Sequence, residues 1–159
     1  MATDTSEKEL EATIEAYLID EKGERAESSR WLKGESKDFN PEFCVDETML
    51  KAFLQHTQMD KVTRARIYDS PANTRKFLER LRNQGLPRRG WWMMLRRRRW
   101  STDATTFDLY YPIPTAGNVQ AAIAYGQNRW TVVRQLRYLQ TRPDIVLMLN
   151  GLPIITLER

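Results

Sequence analysis

The dipeptide Asn150-Gly151 constrains the fold of this chain more than any other short feature, because it separates two apolar runs. Asp144 begins the first run and Glu158 ends the second. A type I′ turn needs positive φ at both central residues, and Asn-Gly meets that need, so the sequence predicts a β-hairpin. A strand rises about 3.3 Å per residue, and the second arm therefore returns Glu158 to the level of Asp144. The pattern brings together two carboxylates that are fourteen residues apart.

The amino-acid sequence around this hairpin resembles that of a known family. NRWTVVRQLRY (128–138) precedes RPDIVLMLNGLPIITLE (142–158). An Asp, an apolar strand, an Asn-Gly turn, a second apolar strand and a Glu are similar to the PD-(D/E)xK nuclease core. The run as a whole resembles the N-terminal nuclease domain of the restriction (R) subunit of type I restriction-modification enzymes. The family motif is Asp, thirteen residues, Glu, one residue, Lys, and Asp144 and Glu158 match its first two positions.

The resemblance implies a set of site residues. Asp144 and Glu158 would be catalytic and would bind Mg²⁺, together with the backbone carbonyl of Arg159. The family's first helix offers a Glu to the metal, and Glu15, or with less support Glu11, would be that residue. Solvated helix charge is the alternative interpretation of each of these Glu residues. The motif lysine would fall at position 160, after the last residue of the sequence.

The resemblance also implies partners and cofactors. DNA would be the substrate, and methyltransferase and specificity subunits would complete the restriction complex. ATP would serve only downstream motor domains, for which 159 residues are too few. Because the lysine position is not included, we expect the 159 residues alone to be inactive as a nuclease.

Composition agrees with one intracellular domain that meets an anionic partner. Residues 1–60 carry seven basic and fifteen acidic side chains, net −8, whereas residues 61–159 carry eighteen and six, net +12. A basic half of this size favours nucleic acid, although solvated charge alone would also account for it. The single cysteine, Cys44, and the absence of a signal-peptide pattern or a long apolar run predict a cytoplasmic protein without a membrane span.

The chain order predicts helices followed by strands. An amphipathic helix over 6–19 would have Ser6 as its N-cap and Leu10, Ile14, Tyr17 and Leu18 on its apolar stripe. An ordered loop over 20–45 is followed by a helix over 47–57, with Asp46 as its N-cap, and by a helical stretch over 59–84. Within that stretch, Ser70-Pro71 marks a helix start, and the inward side chains are Phe77, Leu78 and Leu81. Further elements are a strand over 105–111, a helix over 119–125 and a strand over 130–138. His56 has no partner at metal-ligand spacing, so we interpret it as a structural or surface residue.

Residues 87–100, PRRGWWMMLRRRRW, interleave six arginines with three tryptophans. One interpretation is a nucleic-acid surface, because Arg binds phosphates and aromatic rings stack on bases. The other is a helix whose Trp, Met and Leu side chains are core and whose arginines are solvated or paired. The candidate DNA contacts are Arg96, Arg97, Arg98, Arg99, Arg134 and Arg137.

These observations predict an α/β (α+β) fold, in which helices flank a mixed β-sheet with a restriction-endonuclease-like PD-(D/E)xK core. We expect a single domain over 1–159, with a mainly helical insertion over 20–100. Three functions stay open: a Mg²⁺-dependent nuclease domain, a non-catalytic DNA-binding or docking module of a restriction complex, and an unrelated small α/β protein.

Overall fold

The computed structural model describes residues 2–26, 30–85, 91–102, 105–136 and 142–158. The helices are α1 (Ala2–Ile19), α2 (Glu47–Thr57), α3 (Met59–Ala65), α4 (Pro71–Gly85), α5 (Trp91–Arg97) and α6 (Val119–Gly126). The strands are β1 (Leu32–Lys33), β2 (Phe39–Asn40), β3 (Val45–Asp46), β4 (Arg99–Thr102), β5 (Thr105–Asp108), β6 (Trp130–Arg134), β7 (Ile145–Leu149) and β8 (Leu152–Leu157). A 3₁₀ turn covers Ser36–Asp38.

A four-stranded sheet in the order β1-β6-β7-β8 forms the centre of the fold. The strands β6, β7 and β8 are antiparallel to one another, whereas β1 lies parallel to β6 at the edge. Two further pairs, β2-β3 and β4-β5, are antiparallel and lie outside this sheet. The mixed sheet with helices confirms the predicted fold class.

The β7-β8 hairpin has the predicted turn. Asn150 and Gly151 have φ of 53° and 83°, and Leu149 pairs with Leu152 across them. Asn150 is fully buried, and its side chain donates to the Leu109 carbonyl (2.9 Å) and accepts from the Arg129 amide (2.6 Å). The turn is therefore part of the interior and joins three segments of the chain.

Two clusters of buried side chains cover opposite sides of the central sheet. The larger cluster joins α2, α3, α4, α5 and β5 to the hairpin turn through residues that include Phe53, Leu81, Phe107, Leu149 and Leu152. The smaller one consists of Phe39, Val133, Leu136, Val146 and Met148. Since successive strand residues point to opposite faces, Val146 and Met148 lie in the smaller cluster and Leu149 in the larger.

Two predicted helix starts are confirmed. The Asp46 side chain accepts from the Met49 amide at 3.0 Å and so caps α2. Pro71 begins α4, and the preceding Ser70 hydroxyl accepts from the Asn73 amide at 3.2 Å. The inward side chains predicted for α4, Phe77, Leu78 and Leu81, are all buried.

The prediction for α1 is wrong in its start and its buried face. The helix begins at Ala2, so Ser6 lies inside it and is not the N-cap. Leu10 and Tyr17 are 43% and 66% exposed, whereas Glu11 is 6% exposed. The periodicity of apolar residues fails here because the buried face of α1 carries a carboxylate that has polar partners on the sheet.

The run of arginines and tryptophans is only partly helical. The helix α5 ends at Arg97, Arg98 has φ of 65°, and Arg99 and Trp100 belong to β4. Trp100 leaves the helix because it packs against Phe77 and Phe107, with ring centroids 5.3 and 6.3 Å away. Trp91, Leu95 and Trp100 are buried, as expected if the apolar residues of this run are core.

Several other boundaries differ from the predictions. The expected loop over 20–45 contains β1 and β2 and the start of β3, and α3 ends at Ala65, well before the predicted helix start at Ser70-Pro71. The strand β5 ends at Asp108 and β6 at Arg134, earlier than predicted. The backbone of Gln135, with φ of 52°, leaves the extended conformation and ends β6. None of the helices within the described ranges is long and apolar enough to cross a membrane.

Candidate functional site

The hairpin places Asp144 and Glu158 at the same end of the sheet. Asp144 directly precedes β7 and Glu158 directly follows β8, and the last paired residues, Ile145 and Leu157, lie opposite each other. The pairing contains one irregularity, between Leu147 and Met148. Even so, Asp144 and Glu158 line the same small surface cavity, of about 70 Å³.

The first helix supplies the rest of this cavity. Glu7, Leu10, Glu11 and Ile14 of α1 line it together with Ile145 and Leu157 of the hairpin. Leu10 is therefore exposed toward a cavity whose rim carries carboxylates. The region consists of one helix face set against the open ends of two strands, and we refer to it below as the carboxylate cavity.

Gln135 joins Glu11 to Asp144. It lies next to Asp144 because the β6-β7 pairing ends with Arg134 opposite Ile145. Its backbone amide donates to the Asp144 carbonyl at 3.0 Å. Its side-chain Nε2 donates to Glu11 Oε1 at 2.9 Å and to Asp144 Oδ1 at 3.4 Å. One amide group therefore holds two carboxylates from distant parts of the sequence in a common arrangement.

Arg134 balances part of the negative charge of α1. Its Nε lies 3.4 Å from Glu11 Oε2, and its Nη1 lies 3.8 Å from Glu15 Oε1. Its Nη2 also donates to the Lys8 carbonyl at 3.3 Å. Arg134 was a candidate DNA contact, but its guanidinium is directed at α1, where it fixes the helix on the sheet.

The two candidate glutamates of α1 have different positions. Glu11 is buried, contacts Gln135 and lines the carboxylate cavity. Glu15 contacts Arg134 and is not among the described residues that line that cavity. The geometry therefore favours Glu11 over Glu15 as the helix carboxylate nearest to Asp144.

The donor chemistry of the carboxylate cavity suits a hard divalent cation. Mg²⁺ binds carboxylate and carbonyl oxygens and usually takes only one or two carboxylates, with water in the remaining positions. Asp144, Glu158 and Glu11 are oxygen donors of this kind. Over the described ranges, however, no three acidic, His or Cys side chains are close enough to hold a metal together. Cation binding here would therefore depend on two carboxylates and on waters. Arg159, whose carbonyl was a predicted ligand, lies outside the described residues.

The other five candidate DNA-binding arginines divide into three groups. Arg96 and Arg97 are exposed at the end of α5. Arg98 and Arg99 lie 3.7 and 3.3 Å from Asp108 Oδ1, so this carboxylate offsets part of their charge. Arg137 lies outside the described residues.

Sequence reasoning missed Gln135. The only local signal is a polar pair, Arg134-Gln135, at the end of an apolar strand. The signal becomes specific only when β6 is known to pair with β7, because that pairing brings position 135 beside Asp144.

A comparison with known protein families matches the part of the chain that carries the hairpin and its two carboxylates. The model of a family described as the type I restriction enzyme R protein N terminus matches residues 36–159. No curated protein and no solved structure matched the chain. The family match covers most of the sequence and includes the hairpin, Gln135, Asp144 and Glu158. The chain therefore belongs to the family of type I restriction enzyme R protein N-terminal regions.

Proposed function

We propose that this chain is a nuclease domain that hydrolyses DNA phosphodiesters with Mg²⁺ in the context of its R subunit. The observation that carries the proposal is the shared position of Asp144 and Glu158, which line one cavity at the open end of the β7-β8 hairpin. Family membership supports DNA as the substrate, and the two carboxylates are suited to binding a divalent cation.

Asp144 and Glu158 would hold the cation, with the Arg159 carbonyl as a further ligand. Glu11 would assist them through a coordinated water, in place of Glu15, because of the two only Glu11 is among the described residues that line the cavity. Bound Mg²⁺ would lower the pKa of a coordinated water and stabilise the charge that develops on the phosphate.

The other residues of the cavity would position these groups. Gln135 directs one oxygen of Asp144 and one of Glu11, and Arg134 fixes the second oxygen of Glu11. Hydrolysis forms a bond between the water oxygen and phosphorus and breaks the bond from phosphorus to the leaving oxygen. A lysine at position 160, the third residue of the family motif, would orient the water and favour its deprotonation by its positive charge.

Plasmid cleavage by two polypeptides tests this proposal. One consists of the 159 residues, and the other carries a lysine at position 160 followed by the next strand and helix of the domain. We expect Mg²⁺- or Mn²⁺-dependent cleavage only by the extended polypeptide. In it, Asp144→Asn and Glu158→Gln should abolish cleavage, while the exposed control Asp69→Asn should retain it. Cleavage that survives Asp144→Asn would overturn the catalytic assignment.

The second candidate function is a non-catalytic DNA-binding or docking module of the restriction complex. The exposed pair Arg96-Arg97 and the net charge of +12 over residues 61–159 favour it. Salt-sensitive DNA binding without cleavage by either polypeptide would support this function over the nuclease.

The proposed setting is a cytoplasmic restriction complex. Its methyltransferase and specificity subunits would be partners of the R subunit, and ATP would drive motor domains outside these 159 residues. In that complete complex we expect Asp144→Ala to abolish DNA cleavage and to leave ATP hydrolysis intact, because the two activities would use separate domains.

A further inference from the structure

A second, larger cavity lies at the opposite end of β6 from the carboxylate cavity. It has a volume of about 470 Å³, within the range of about 300–1,000 Å³ that is typical of small-molecule sites. Its described lining comes from the end of α1, from residues 30–33 and from residues 125–130. Trp130 at the start of β6 lines this cavity, whereas Arg134 at the end of β6 contacts Glu11. At about 3.3 Å per residue, the two cavities are roughly 13 Å apart along the strand.

Two tryptophans form the aromatic part of this cavity. The rings of Trp31 and Trp130 lie 5.4 Å apart between centroids with an interplanar angle of 56°. Both side chains are only half-buried, so part of each ring surface is accessible from the cavity. Tyr125, also half-buried, adds a third aromatic ring to the lining.

The charged part of the cavity is entirely basic. Arg30, Lys33 and Arg129 line it, and its described lining contains no carboxylate. Arg30 is already held by Asp20, whose Oδ2 lies 3.4 Å from its Nε. Lys33 is exposed, and the buried Nε of Arg129 has no hydrogen-bond partner within the described part of the chain. Lys33 and Arg129 therefore supply positive charge that Asp20 does not neutralise.

We propose that this cavity binds an unpaired nucleotide, with the base against Trp31 and Trp130 and the phosphate near Lys33 and Arg129. Aromatic side chains bind bases of any sequence because every base has a π-face, and basic residues follow the phosphates. The same chemistry would accept a free nucleotide, and the experiment below separates that source from a DNA strand.

The inference goes beyond the proposed nuclease and does not require cleavage. If the nuclease assignment also holds, the base would lie only a few nucleotides from the phosphate at Asp144, because the two cavities are roughly 13 Å apart along β6. The cavity would then hold an unpaired strand beside the cleavage site.

Binding of a fluorescein-labelled dodecamer of thymidylate, followed by anisotropy, tests the inference on the 159-residue chain. We expect Trp31→Ala to weaken binding about tenfold and Trp31→Phe to retain most of it, because a phenyl ring still stacks. Lys33→Glu should weaken binding more than Lys76→Glu, which makes the same charge change at an exposed position on α4. Circular dichroism and thermal melting would establish that each variant is folded.

Competing ligands identify the source of the nucleotide. Competition by unlabelled dodecamer but not by thymidine monophosphate or a blunt duplex would assign the cavity to an unpaired strand. Competition by the monophosphate at the same concentration as the dodecamer would support the cavity as a site for a free nucleotide. The inference is overturned if wild type does not bind the dodecamer, or if Lys33→Glu binds it as tightly as Lys76→Glu. Lys33 is exposed on the edge strand, so this comparison holds even where a Trp31 variant does not fold.

Discussion

The side-chain amide of Gln135 donates a 2.9 Å hydrogen bond to the buried carboxylate of Glu11, 124 residues away in sequence. The same nitrogen lies 3.4 Å from Asp144 Oδ1. The contact joins α1 to the residue that begins the β7-β8 hairpin. Because it fixes two carboxylates at one cavity, it makes Gln135 a positioning residue for the proposed metal site.

Replacing Gln135 by Met should separate structural from positioning effects. Met has a similar length and no donor, so Glu11 and Asp144 lose a shared hydrogen bond while the volume is conserved. We expect the free energy of unfolding to fall by about 1 kcal/mol, as measured by chemical denaturation. Affinity for Mn²⁺, measured by electron paramagnetic resonance, should fall as well. The half-buried Gln55 gives the matched control, Gln55→Met, and equal Mn²⁺ affinities in the two variants would contradict a positioning role.

The two glutamates of α1 should respond differently to neutralisation. Glu11→Gln removes a carboxylate from the lining of the cavity, whereas Glu15→Gln removes one that contacts Arg134 and is not among the described residues lining the cavity. We therefore expect Glu11→Gln to weaken Mn²⁺ binding several-fold and Glu15→Gln to leave it close to wild type. If titration calorimetry showed that Glu15→Gln weakens Mn²⁺ binding more than Glu11→Gln does, Glu15 would be the helix ligand.

Asp46 should make stability depend on pH in the acid range. Burial raises the pKa of the Asp46 carboxyl above its ordinary value of 3.8, even though the Met49 amide hydrogen bond acts in the opposite direction. The folded chain therefore holds this proton more tightly than the unfolded chain. The free energy of unfolding should fall as the pH rises from about 3.8 through the folded-state pKa, because the unfolded state ionises first.

Two substitutions of Asp46 test whether its carboxyl group causes this pH dependence of stability. Asp46→Asn keeps an N-cap acceptor and has no charge to bury, so it should remove this part of the pH dependence. Asp46→Ala also removes the cap and should be less stable than Asp46→Asn by about 1 kcal/mol at neutral pH. The free energy of unfolding would be measured by denaturation at several pH values in this range. The assignment would be contradicted if it changed with pH equally in wild type and in Asp46→Asn.

Gly151→Ala should destabilise the chain strongly. Gly151 has φ of 83°, and an added Cβ would lie 2.4 Å from the Asp46 carbonyl oxygen and 2.9 Å from the Leu50 amide nitrogen. Backbone atoms cannot move aside as the end of a side chain can, so we expect a loss of about 2 kcal/mol or more. Gly126→Ala is the control, because its Cβ would meet nothing within 4 Å. Equal melting temperatures for the two variants would mean that the turn does not pack on the start of α2.

Local residue preferences account for the parts of the fold that sequence reasoning anticipated. Asn and Gly tolerate the positive φ that both central residues of a type I′ turn need, so the β7-β8 hairpin follows from two residues and their apolar neighbours. Asp46 caps α2 through an amide three residues away, which is also a local contact. The family resemblance of residues 128–158 was visible for the same reason, since the motif is contiguous.

The parts that were mispredicted depend on contacts between distant residues. Trp100 has a helical sequence neighbourhood, yet it lies in β4 because it packs against Phe77 and Phe107. The apolar stripe assigned to α1 was wrong because Glu11 is buried against Gln135 and Arg134, which no periodicity of α1 could reveal.

The sequence by itself determined the hairpin, its two flanking carboxylates and the cap of α2, because each rests on the conformational preferences of a few adjacent residues. Only the tertiary structure decided which glutamate of α1 meets Asp144, that Gln135 joins them, and that Asn150 is buried with its side chain bonded to Leu109 and Arg129. The physical reason is that a buried polar group must find its hydrogen-bond partner, and here every partner comes from another element of the fold.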